Sequence, residues 1–377
     1  MAKRRVLVAF GTRPEAVKLA RVILELRRHA GEYEVLVVAT AQHRRLLDQV
    51  LSDFDIAADV DLDIMRPGQT LTRVTTRALS LLEPVLRRFR PGIVLVQGDT
   101  TSAFAAALAA HYQRVGVGHV EAGLRTSDKY APYPEEMNRR LITRLADIHF
   151  APTGWARNNL LSEGIPRRAI HVTGNTVVDA LLATVRRSSG PGPSILSRIP
   201  KDARVILVTA HRRESFGPGL VRICRALARI VRRNRDVHVV YPVHPNPQVR
   251  RPAHDILGGV ERVHLVRPPA YSAFVRLLQA SHLVLTDSGG IQEEAPSLGK
   301  PVLVLREKTE RPEALAAGTA RLVGTGIDRI VAETERLLIS RRAYERMAKV
   351  VNPFGDGRAS ARIVRAISGW SSGDRRS

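Results

Sequence analysis

Short apolar runs alternate with helix-like stretches along the whole chain. Among these runs are "RVLVAF", "GIVLVQGD", "RVILVTAH" and "LVLTDSGG", which are rich in Val, Ile and Leu and apolar on both faces. Strands of this kind are typical of parallel sheets that helices cover on each side. The alternation therefore predicts an α/β protein built on doubly wound parallel sheets.

A change in composition divides the chain near its middle. The segment "RRSSGPGPSILSRIPKDA", residues 186–203, is rich in Ser, Gly and Pro and follows the helical "TVVDALLATVRR". Such a composition is typical of a linker or a long loop between domains. We therefore predict one domain over residues 1–185 and a second over 186–353. Beyond them, "NPFGDGRASARIVRAISGW" predicts a turn and a last helix.

The chain is strongly basic, with a formal net charge of +23 from 59 basic and 36 acidic residues. Most of the basic residues are arginines, and they are spread along the chain, while aromatic residues make up only 5%. Nucleic-acid-binding proteins more often concentrate their basic residues in one stripe or arm, with aromatic residues between them. The distribution favours an anionic small molecule over nucleic acid as the partner.

Hydropathy predicts a cytoplasmic protein with no membrane partner. No apolar run reaches the roughly 20 residues that span a bilayer. The start, "MAKRR", is followed by a short apolar run and then by Arg13 and Glu15, which is too short and too charged for a secretory signal. The single cysteine, Cys224, lies in an apolar helical pattern and is predicted to be buried and inert.

Polar side chains follow the first strand, where ligands of open α/β sheets bind. In "GTRPEAVK", Gly11 permits a tight turn and Pro14 suits the first turn of a helix. Arg13 and Lys18 add positive charge near a helix N-terminus, which favours an anion. The alternative is a capped helix with solvated charges.

Three carboxylates lie near the ends of two further strands. Asp99 stands between a strand and an alanine-rich helix, either as an N-cap or as a functional group. Glu121 ends the next strand, and a proline-containing loop then leads to Glu135, Glu136 and Arg139. Glu135 and Arg139 have the i,i+4 spacing of a plain helix ion pair, which is the alternative to a functional role. Three carboxylates near two strand ends suit acid/base catalysis on a carbon or a hydroxyl.

Histidine and arginine follow the first strand of the second domain. His211 ends this strand in "VTAHRRESFG" and precedes Arg212. These neighbours favour phosphate binding or proton relay by His211 over a purely structural role. The same reasoning applies more weakly to His244 in "YPVHPNP".

A serine–glycine pair follows a later strand of the second domain, in "LVLTDSGGIQEE". Gly289 and Gly290 let backbone N–H groups approach a phosphate, and Ser288 adds a hydroxyl. Glu294, about one helical turn later, can accept hydrogen bonds from ribose hydroxyls. We therefore predict a site for a nucleoside diphosphate, with Arg311 near a proline-started helix that closes over it.

No metal or cofactor is predicted. The twelve histidines form no H-x-x-x-H or H-E-x-x-H pattern, and a single cysteine excludes a thiolate cage.

Several long motifs resemble those of the non-hydrolysing UDP-N-acetylglucosamine 2-epimerases. They are "GTRPEAVKLA", "QGDTTSAFAAALAA", "HVEAGLRT", "PYPEEMNRR", "TAHRRESFG", "DSGGIQEEAPSLGKPVLVLREKTERPEA" and "NPFGDGRAS", and the match runs from about residue 5 to residue 368. The resemblance implies two Rossmann-like domains facing a central cleft, the architecture of B-type glycosyltransferases. It also implies a last helix, residues 354–370, that packs back on the first domain, and a homodimer.

The resemblance also implies the reaction and the roles of individual residues. The family interconverts UDP-GlcNAc and UDP-ManNAc by eliminating UDP to give 2-acetamidoglucal and then adding UDP back. The matched positions are Asp99, Glu121, Glu135 and His211 as catalytic residues, and Arg13, Lys18, Arg139, Ser288, Gly289, Gly290, Glu294 and Arg311 as contacts of the substrate or UDP.

Some bacterial members bind a second UDP-GlcNAc as an allosteric activator. The positions of this chain that match that region are Gln42, His43, Gln69, Glu136, Arg212 and His244. Arg45 and Gly68 depart from the glutamine and arginine of the regulated members, so allosteric activation stays open.

Three other functions compete with the epimerase. A hydrolysing relative would share the elimination step but release UDP and free ManNAc. A B-type glycosyltransferase would use a UDP-sugar as donor and needs an acceptor site. A nucleotide-sugar sensor would not need the acidic residues and histidines at the strand ends.

Overall fold

The computed structural model describes residues 3–40, 44–66, 68–126, 128–187 and 192–370. Packing divides the chain into two compact units. Unit 1 is formed by Met1–Ala180 together with Phe354–Ser377, and unit 2 by Leu181–Pro353.

Unit 1 is built on a parallel sheet. Among the described residues its strands are β1 (Arg4–Phe10), β2 (Tyr33–Ala39), β3 (Val60–Asp61), β4 (Ile93–Gln97), β5 (Gly116–Val120), β6 (Ile148–Ala151) and β7 (Ile170–Val172). They pair in the order β3-β2-β1-β4-β5-β6-β7. β4 and β5 are buried along their whole length, because helices cover both faces of the sheet.

The described helices of unit 1 are α1 (Arg13–Arg28), α2 (Arg44–Asp53), α3 (Leu71–Phe89), α4 (Thr101–Tyr112), α5 (Glu135–Leu145), α6 (Gly154–Ser162), α7 (Thr176–Arg187), which runs on into unit 2, and α15 (Ala359–Gly369). α4 is alanine-rich and buries most of its length between α3 and α5. The small side chains allow this close packing. α15 packs against α1, so the end of the chain belongs to unit 1.

Unit 2 contains a second parallel sheet. Its described strands are β8 (Arg204–Thr209), β9 (Val237–Pro242), β10 (Val263–Val266), β11 (Leu283–Thr286), β12 (Val302–Val304) and β13 (Ala320–Leu322), in the order β10-β9-β8-β11-β12-β13. The described helices are α8 (Pro218–Arg233), α9 (Pro247–Leu257), α10 (Tyr271–Ala280), α11 (Gly289–Glu294), α12 (Pro312–Ala317), α13 (Ile327–Ile339) and α14 (Arg341–Ala348).

The predicted fold class is confirmed, because each unit is a doubly wound parallel α/β sheet. In both sheets the strand order reverses once, between β1 and β4 in unit 1 and between β8 and β11 in unit 2. Loops diverge at such a reversal and leave a crevice at the carboxyl ends of the strands. The segments after β1, β4, β8 and β11 are therefore where each unit can hold a ligand.

Cys224 is fully buried in the core of unit 2, and burial raises the pKa of its thiol to about 12. The prediction of a buried, inert cysteine is thus confirmed. Within the described ranges, no helix combines the length and the apolar character needed to cross a bilayer.

Two buried histidines pair across neighbouring strands of unit 1. His119 on β5 is in register with His149 on β6, and both side chains are almost completely excluded from solvent. Burial lowers the pKa of His119 to about 4 and that of His149 to about 3. The folded unit therefore keeps both rings neutral in mildly acidic solution.

We expect unit 1 to lose stability as the pH falls from 7 towards 4. The unfolded chain binds protons on these rings near their ordinary pKa of 6.5, whereas the folded unit binds them only near 4 and 3, so acid favours unfolding. Both tryptophans, Trp155 and Trp370, lie in unit 1, so urea unfolding followed by tryptophan fluorescence reports on this unit. The urea concentration at the midpoint of unfolding should be lower at pH 5 than at pH 7.

The variant His149→Gln should show a weaker dependence of the midpoint on pH, because one of the two titrating rings is absent. The matched control is His111→Gln at an exposed position of α4. An unchanged pH dependence in His149→Gln would contradict the assignment.

Candidate active site

The turn after β1 is held by a buried carboxylate. The Glu15 side chain accepts hydrogen bonds from the backbone N–H of Gly11 (3.1 Å) and Thr12 (2.7 Å) and from the Thr100 hydroxyl (2.7 Å). Burial raises the pKa of Glu15, although these hydrogen bonds act in the opposite direction. A side chain at Gly11 would collide with Ser102, so this turn requires glycine. Glu15 therefore joins the turn after β1 to the turn after β4.

Glu121, directly after β5, has an unusual backbone conformation. Its φ of 65° lies in the left-handed region, which non-glycine residues adopt rarely and often at functional sites. Its carboxylate is buried and accepts hydrogen bonds from the Lys18 ammonium group and from Nδ2 of Asn175, the latter at 2.7 Å. Lys18 and Asn175 thus fix the direction in which the carboxylate points.

Asp99 does not cap the helix that follows it. The N-cap of α4 is Thr100, whose hydroxyl accepts the N–H of Ala103 at 3.0 Å. The Asp99 carboxylate instead accepts hydrogen bonds from the guanidinium group of Arg139, with Nε at 3.1 Å. The N-cap interpretation of Asp99 is therefore wrong, and the group forms an ion pair at the carboxyl end of β4.

Glu135 and Glu136 begin α5 and have different surroundings. Glu136 is completely buried and accepts hydrogen bonds from Nε of Arg140 (2.7 Å) and Nη1 of Arg139 (3.3 Å). Glu135 is half-buried, and over the described ranges it forms no ion pair with Arg139. The plain helix pair between Glu135 and Arg139 is thus not what the structure contains, and Glu136 supports α5 from inside.

These groups of unit 1 lie around neighbouring strand ends. β4 and β5 are paired up to Gln97 and Val120, so Asp99 and Glu121 follow adjacent strands. A Cβ atom at Gly98 would lie 3.9 Å from Oε1 of Glu121. A ring nitrogen of His119 lies 2.7 Å from the carbonyl oxygen of Gly98 and supports the same turn. The arrangement places carboxylates and cations together, as proton transfer near a leaving anion requires.

In unit 2, His211 lies over a buried carboxylate. Asp287, directly after β11, accepts the backbone N–H groups of His211 and Arg212, each at 2.7 Å. Its other oxygen, Oδ1, lies 3.8 Å from Nδ1 of His211. The His211 ring stacks on His244, with ring centroids 5.5 Å apart. Burial raises the pKa of Asp287, while His211 and the N–H groups act against this.

The serine–glycine pair begins α11 beside Asp287. Ser288 is the N-cap of this helix, but its hydroxyl makes no capping hydrogen bond. A Cβ atom at Gly289 would lie 3.2 Å from Cζ of Arg311, so the absence of a side chain makes room for the guanidinium group. Gly290 lies beside Glu294, whose Oε1 accepts the Tyr271 hydroxyl at 2.7 Å. The backbone of Ser288–Gly290 is thus bordered by a cation and a carboxylate.

Arg311 is itself held by carboxylates. Its Nε donates to Glu293 at 2.6 Å and its Nη1 to Glu310 at 3.3 Å, and all three side chains are largely buried. Arg311 therefore stabilises this part of unit 2 through its ion pairs with Glu293 and Glu310. The UDP contact that the resemblance implies would be a second role.

The residues predicted for allosteric activation are distributed over both units. Gln42 and His43 lie outside the described residues. Gln69 is engaged by its own loop, where Oε1 accepts the N–H of Arg66 at 2.7 Å. Arg212 lies 4.0 Å from Glu310, and His244 stacks on His211.

Two residues of this site escaped the sequence analysis. Asn175 follows β7 in "HVTGNT", and Asp287 stands directly before Ser288. Both obey the rule that led to the other candidates, a polar side chain after a strand. The described residues contain no group of three or more His, Cys, Asp or Glu side chains placed to hold a metal ion.

Comparisons with known proteins identify the family of the chain. A family model described as UDP-N-acetylglucosamine 2-epimerase matches residues 25–368. The UDP-N-acetylglucosamine 2-epimerase of Salmonella typhimurium is 54% identical over 372 residues, which cover 97% of this chain and 99% of that protein.

Solved structures of two proteins are similar to this chain over nearly its whole length. The UDP-GlcNAc 2-epimerase of Neisseria meningitidis, bound to UDP-GlcNAc, superposes with a TM-score of 0.91 at 50% identity, covering 97% of this chain and 100% of that one. S. aureus MnaA, solved with UDP, gives a TM-score of 0.90 at 46% identity, covering 97% and 96%. With two doubly wound sheets, carboxylates after β4 and β5 and a serine–glycine pair after β11, the chain belongs to the UDP-N-acetylglucosamine 2-epimerase family.

Proposed function

We propose that this chain interconverts UDP-GlcNAc and UDP-ManNAc without hydrolysis, by eliminating UDP and adding it back. The observation that carries the proposal is Glu121, a buried carboxylate in left-handed backbone, held by Lys18 and Asn175 beside the Asp99–Arg139 ion pair. Such a group is oriented for proton transfer and lies close to fixed positive charge.

The first step is an elimination across C1 and C2 of the sugar. A carboxylate takes the proton from C2, the C2–H electron pair forms the C1=C2 double bond, and the C1–O bond breaks with its electrons passing to the phosphate oxygen. The products are UDP and 2-acetamidoglucal. Asp99, Glu121 and Glu135 are the candidate acid and base groups, because each stands at or near a strand end of unit 1.

Charge on the departing UDP must be offset while the bond breaks. Arg13, Lys18 and Arg139 carry the positive charge, and His211 and the N–H groups of Ser288–Gly290 the hydrogen-bond donors, that the resemblance to the family implies for this task. Fixed donors and cations aimed at developing charge are usually the largest contribution to catalysis.

The second step reverses the first on the other face of the sugar. An acid group delivers a proton to C2 from the opposite side, and the same phosphate oxygen attacks C1. UDP-ManNAc results, and no water is consumed. The glycal must therefore remain bound until UDP returns. The relatives with UDP-GlcNAc or UDP bound support this choice of ligand.

The test is incubation of UDP-GlcNAc with the enzyme in deuterated water, followed by NMR at C2. We expect both epimers to appear with deuterium at C2, because the proton removed exchanges with solvent before a new one is delivered. Stoichiometric release of UDP and free ManNAc would instead identify a hydrolysing enzyme. A second epimer without label at C2 would contradict the elimination.

The homodimer and the cytoplasmic location stay predictions, and allosteric activation by a second UDP-GlcNAc stays open.

A further inference from the structure

The loop between β7 and α7 is clamped by the end of the chain. Gly174, with φ 87°, lies so close to Gly355 that a Cβ atom on Gly174 would be 3.3 Å from the Cα atom of Gly355. The backbone N–H of Asn175 donates to the carbonyl oxygen of Phe354 at 2.6 Å. Residues 174 and 175 therefore take their position from a segment that follows 180 residues later.

Further hydrogen bonds fasten the same two segments. Asp179 on α7 accepts the N–H groups of Ala359 (3.1 Å) and Ser360 (2.7 Å), which are orphan donors in the first turn of α15. Arg362 donates from Nη1 to the carbonyl oxygen of Thr173 at 3.0 Å. Asp179 of α7 therefore caps the N-terminus of α15. These contacts fix the return segment Phe354–Gly369 against the β7–α7 loop.

The side chain of Asn175 points from this clamp to Glu121. It is 2% exposed, and its Oδ1 accepts the N–H of Val177 at 3.1 Å. This acceptor role determines the orientation of the amide and leaves Nδ2 as the donor to Oε2 of Glu121 at 2.7 Å. Lys18 donates to the same oxygen, and Oε1 lies on the side of Gly98.

We propose that Asn175 is a positioning residue for Glu121, and that the return segment Phe354–Gly369 holds it in place. The inference rests on the proposed function, because it takes Glu121 to be catalytic. A neutral donor on a buried carboxylate favours the ionised form and restricts its rotamer, so Asn175 acts on the charge as well as on the direction of Glu121.

Among the described residues, charged and titratable groups near Glu121 include Lys18, which reaches it from α1, and His119 on β5, which interacts with its charge. The Asp99–Arg139 ion pair follows the neighbouring strand β4. Burial keeps His119 neutral above about pH 4. We therefore expect the acidic limb of the pH–activity profile, which depends on the ionised catalytic carboxylate, to shift when Asn175 is replaced.

The experiment compares kcat, KM and the pH profile of Asn175→Ala and Asn175→Asp with the wild type. For Asn175→Ala we expect kcat to fall about tenfold or more with KM nearly unchanged, and the acidic limb of kcat/KM to move to higher pH. In Asn175→Asp a second carboxylate faces Glu121 and disfavours its ionisation, so the acidic limb should move to still higher pH than in Asn175→Ala. The control is Asn234→Ala in unit 2, whose side chain donates, within the described part of the chain, to the carbonyl oxygen of Ile230.

A role confined to stability would give a different result. In that case Asn175→Ala would lower the melting temperature, and the active fraction would keep the wild-type pH profile, which would overturn the inference. The variant Asp179→Asn weakens the clamp without touching Glu121 and should move the pH limb in the same direction by a smaller amount. If the wild-type enzyme forms no UDP-ManNAc from UDP-GlcNAc, the proposed function fails. If it forms UDP-ManNAc and Glu121→Gln is inactive while Asn175→Ala is unchanged, only this inference fails.

Discussion

Replacing Glu121 by glutamine is expected to lower kcat by about two orders of magnitude or more, because the amide cannot accept or return a proton at C2. Glutamine has nearly the same shape and can adopt the same backbone conformation, so the fold should be preserved. Turnover is measured by NMR from the appearance of UDP-ManNAc, and washing of deuterium into C2 of UDP-GlcNAc is followed in the same samples. Both signals should fall together if Glu121 takes part in the proton transfer.

The control for this variant is Glu34→Gln. Glu34 pairs with Arg5 at 2.9 Å on the amino-terminal half of β2, away from the strand ends that carry the site, and its side chain is half-exposed. This change should leave turnover near the wild-type value. Asp99→Asn and Glu135→Gln are expected to lose activity to a similar extent. A Glu121→Gln enzyme with more than a tenth of wild-type turnover would remove Glu121 from the mechanism.

The fold of this chain was predictable because its local patterns agree with one another. Strands that are apolar on both faces, such as "GIVLVQGD", can be buried only when helices cover both sides of a parallel sheet. The same pattern places Asp99, Glu121 and Ser288 at strand ends, where ligands of such sheets bind. The rule works because the carboxyl ends of all parallel strands lie on one edge of the sheet.

The pairing of side chains was not predictable, because it depends on contacts between distant parts of the chain. Local rules left a helix cap for Asp99 and a helix ion pair between Glu135 and Arg139 open as alternatives to functional roles. In the structure Thr100 takes the cap, and Asp99 and Arg139, 40 residues apart, pair with each other. No periodicity in the sequence encodes this choice. The contact between Asn175 and Glu121 joins residues 54 positions apart and is likewise not encoded by any local pattern.

The burial of charged side chains in unit 2 could also not be predicted from the sequence. The "REKTERPEA" segment is rich in charged residues and would ordinarily be solvated. Instead Arg306 and Arg311 are both largely buried, the first against Glu214 and Glu310 and the second against Glu293 and Glu310. Such a network fixes the loop after β12 beside α11, so the serine–glycine turn of unit 2 rests on buried ion pairs.

Replacing Arg311 by methionine is therefore expected to destabilise unit 2 strongly. The change leaves the Glu293 carboxylate, which is completely buried, without its main counter-charge, and removing one partner of a buried ion pair costs about 3–5 kcal/mol. For a unit of this size the loss corresponds to a fall of roughly 10 °C in melting temperature. Calorimetry in the absence of ligand measures it directly.

A double-variant comparison separates this structural role from UDP binding. Adding Glu293→Gln to Arg311→Met removes both charges, so the pair should be less destabilised than Arg311→Met alone. The control is Arg341→Met, an exposed partner of Glu345, which should change the melting temperature little. If Arg311 served only to bind UDP, the variant without ligand would melt like the wild type, and only the stabilisation by added UDP would be lost. Because Gly289 lies against the Arg311 guanidinium group, we expect Arg311→Met to lower the melting temperature without ligand and also to reduce the stabilisation by added UDP. The loss without ligand should be the larger of the two.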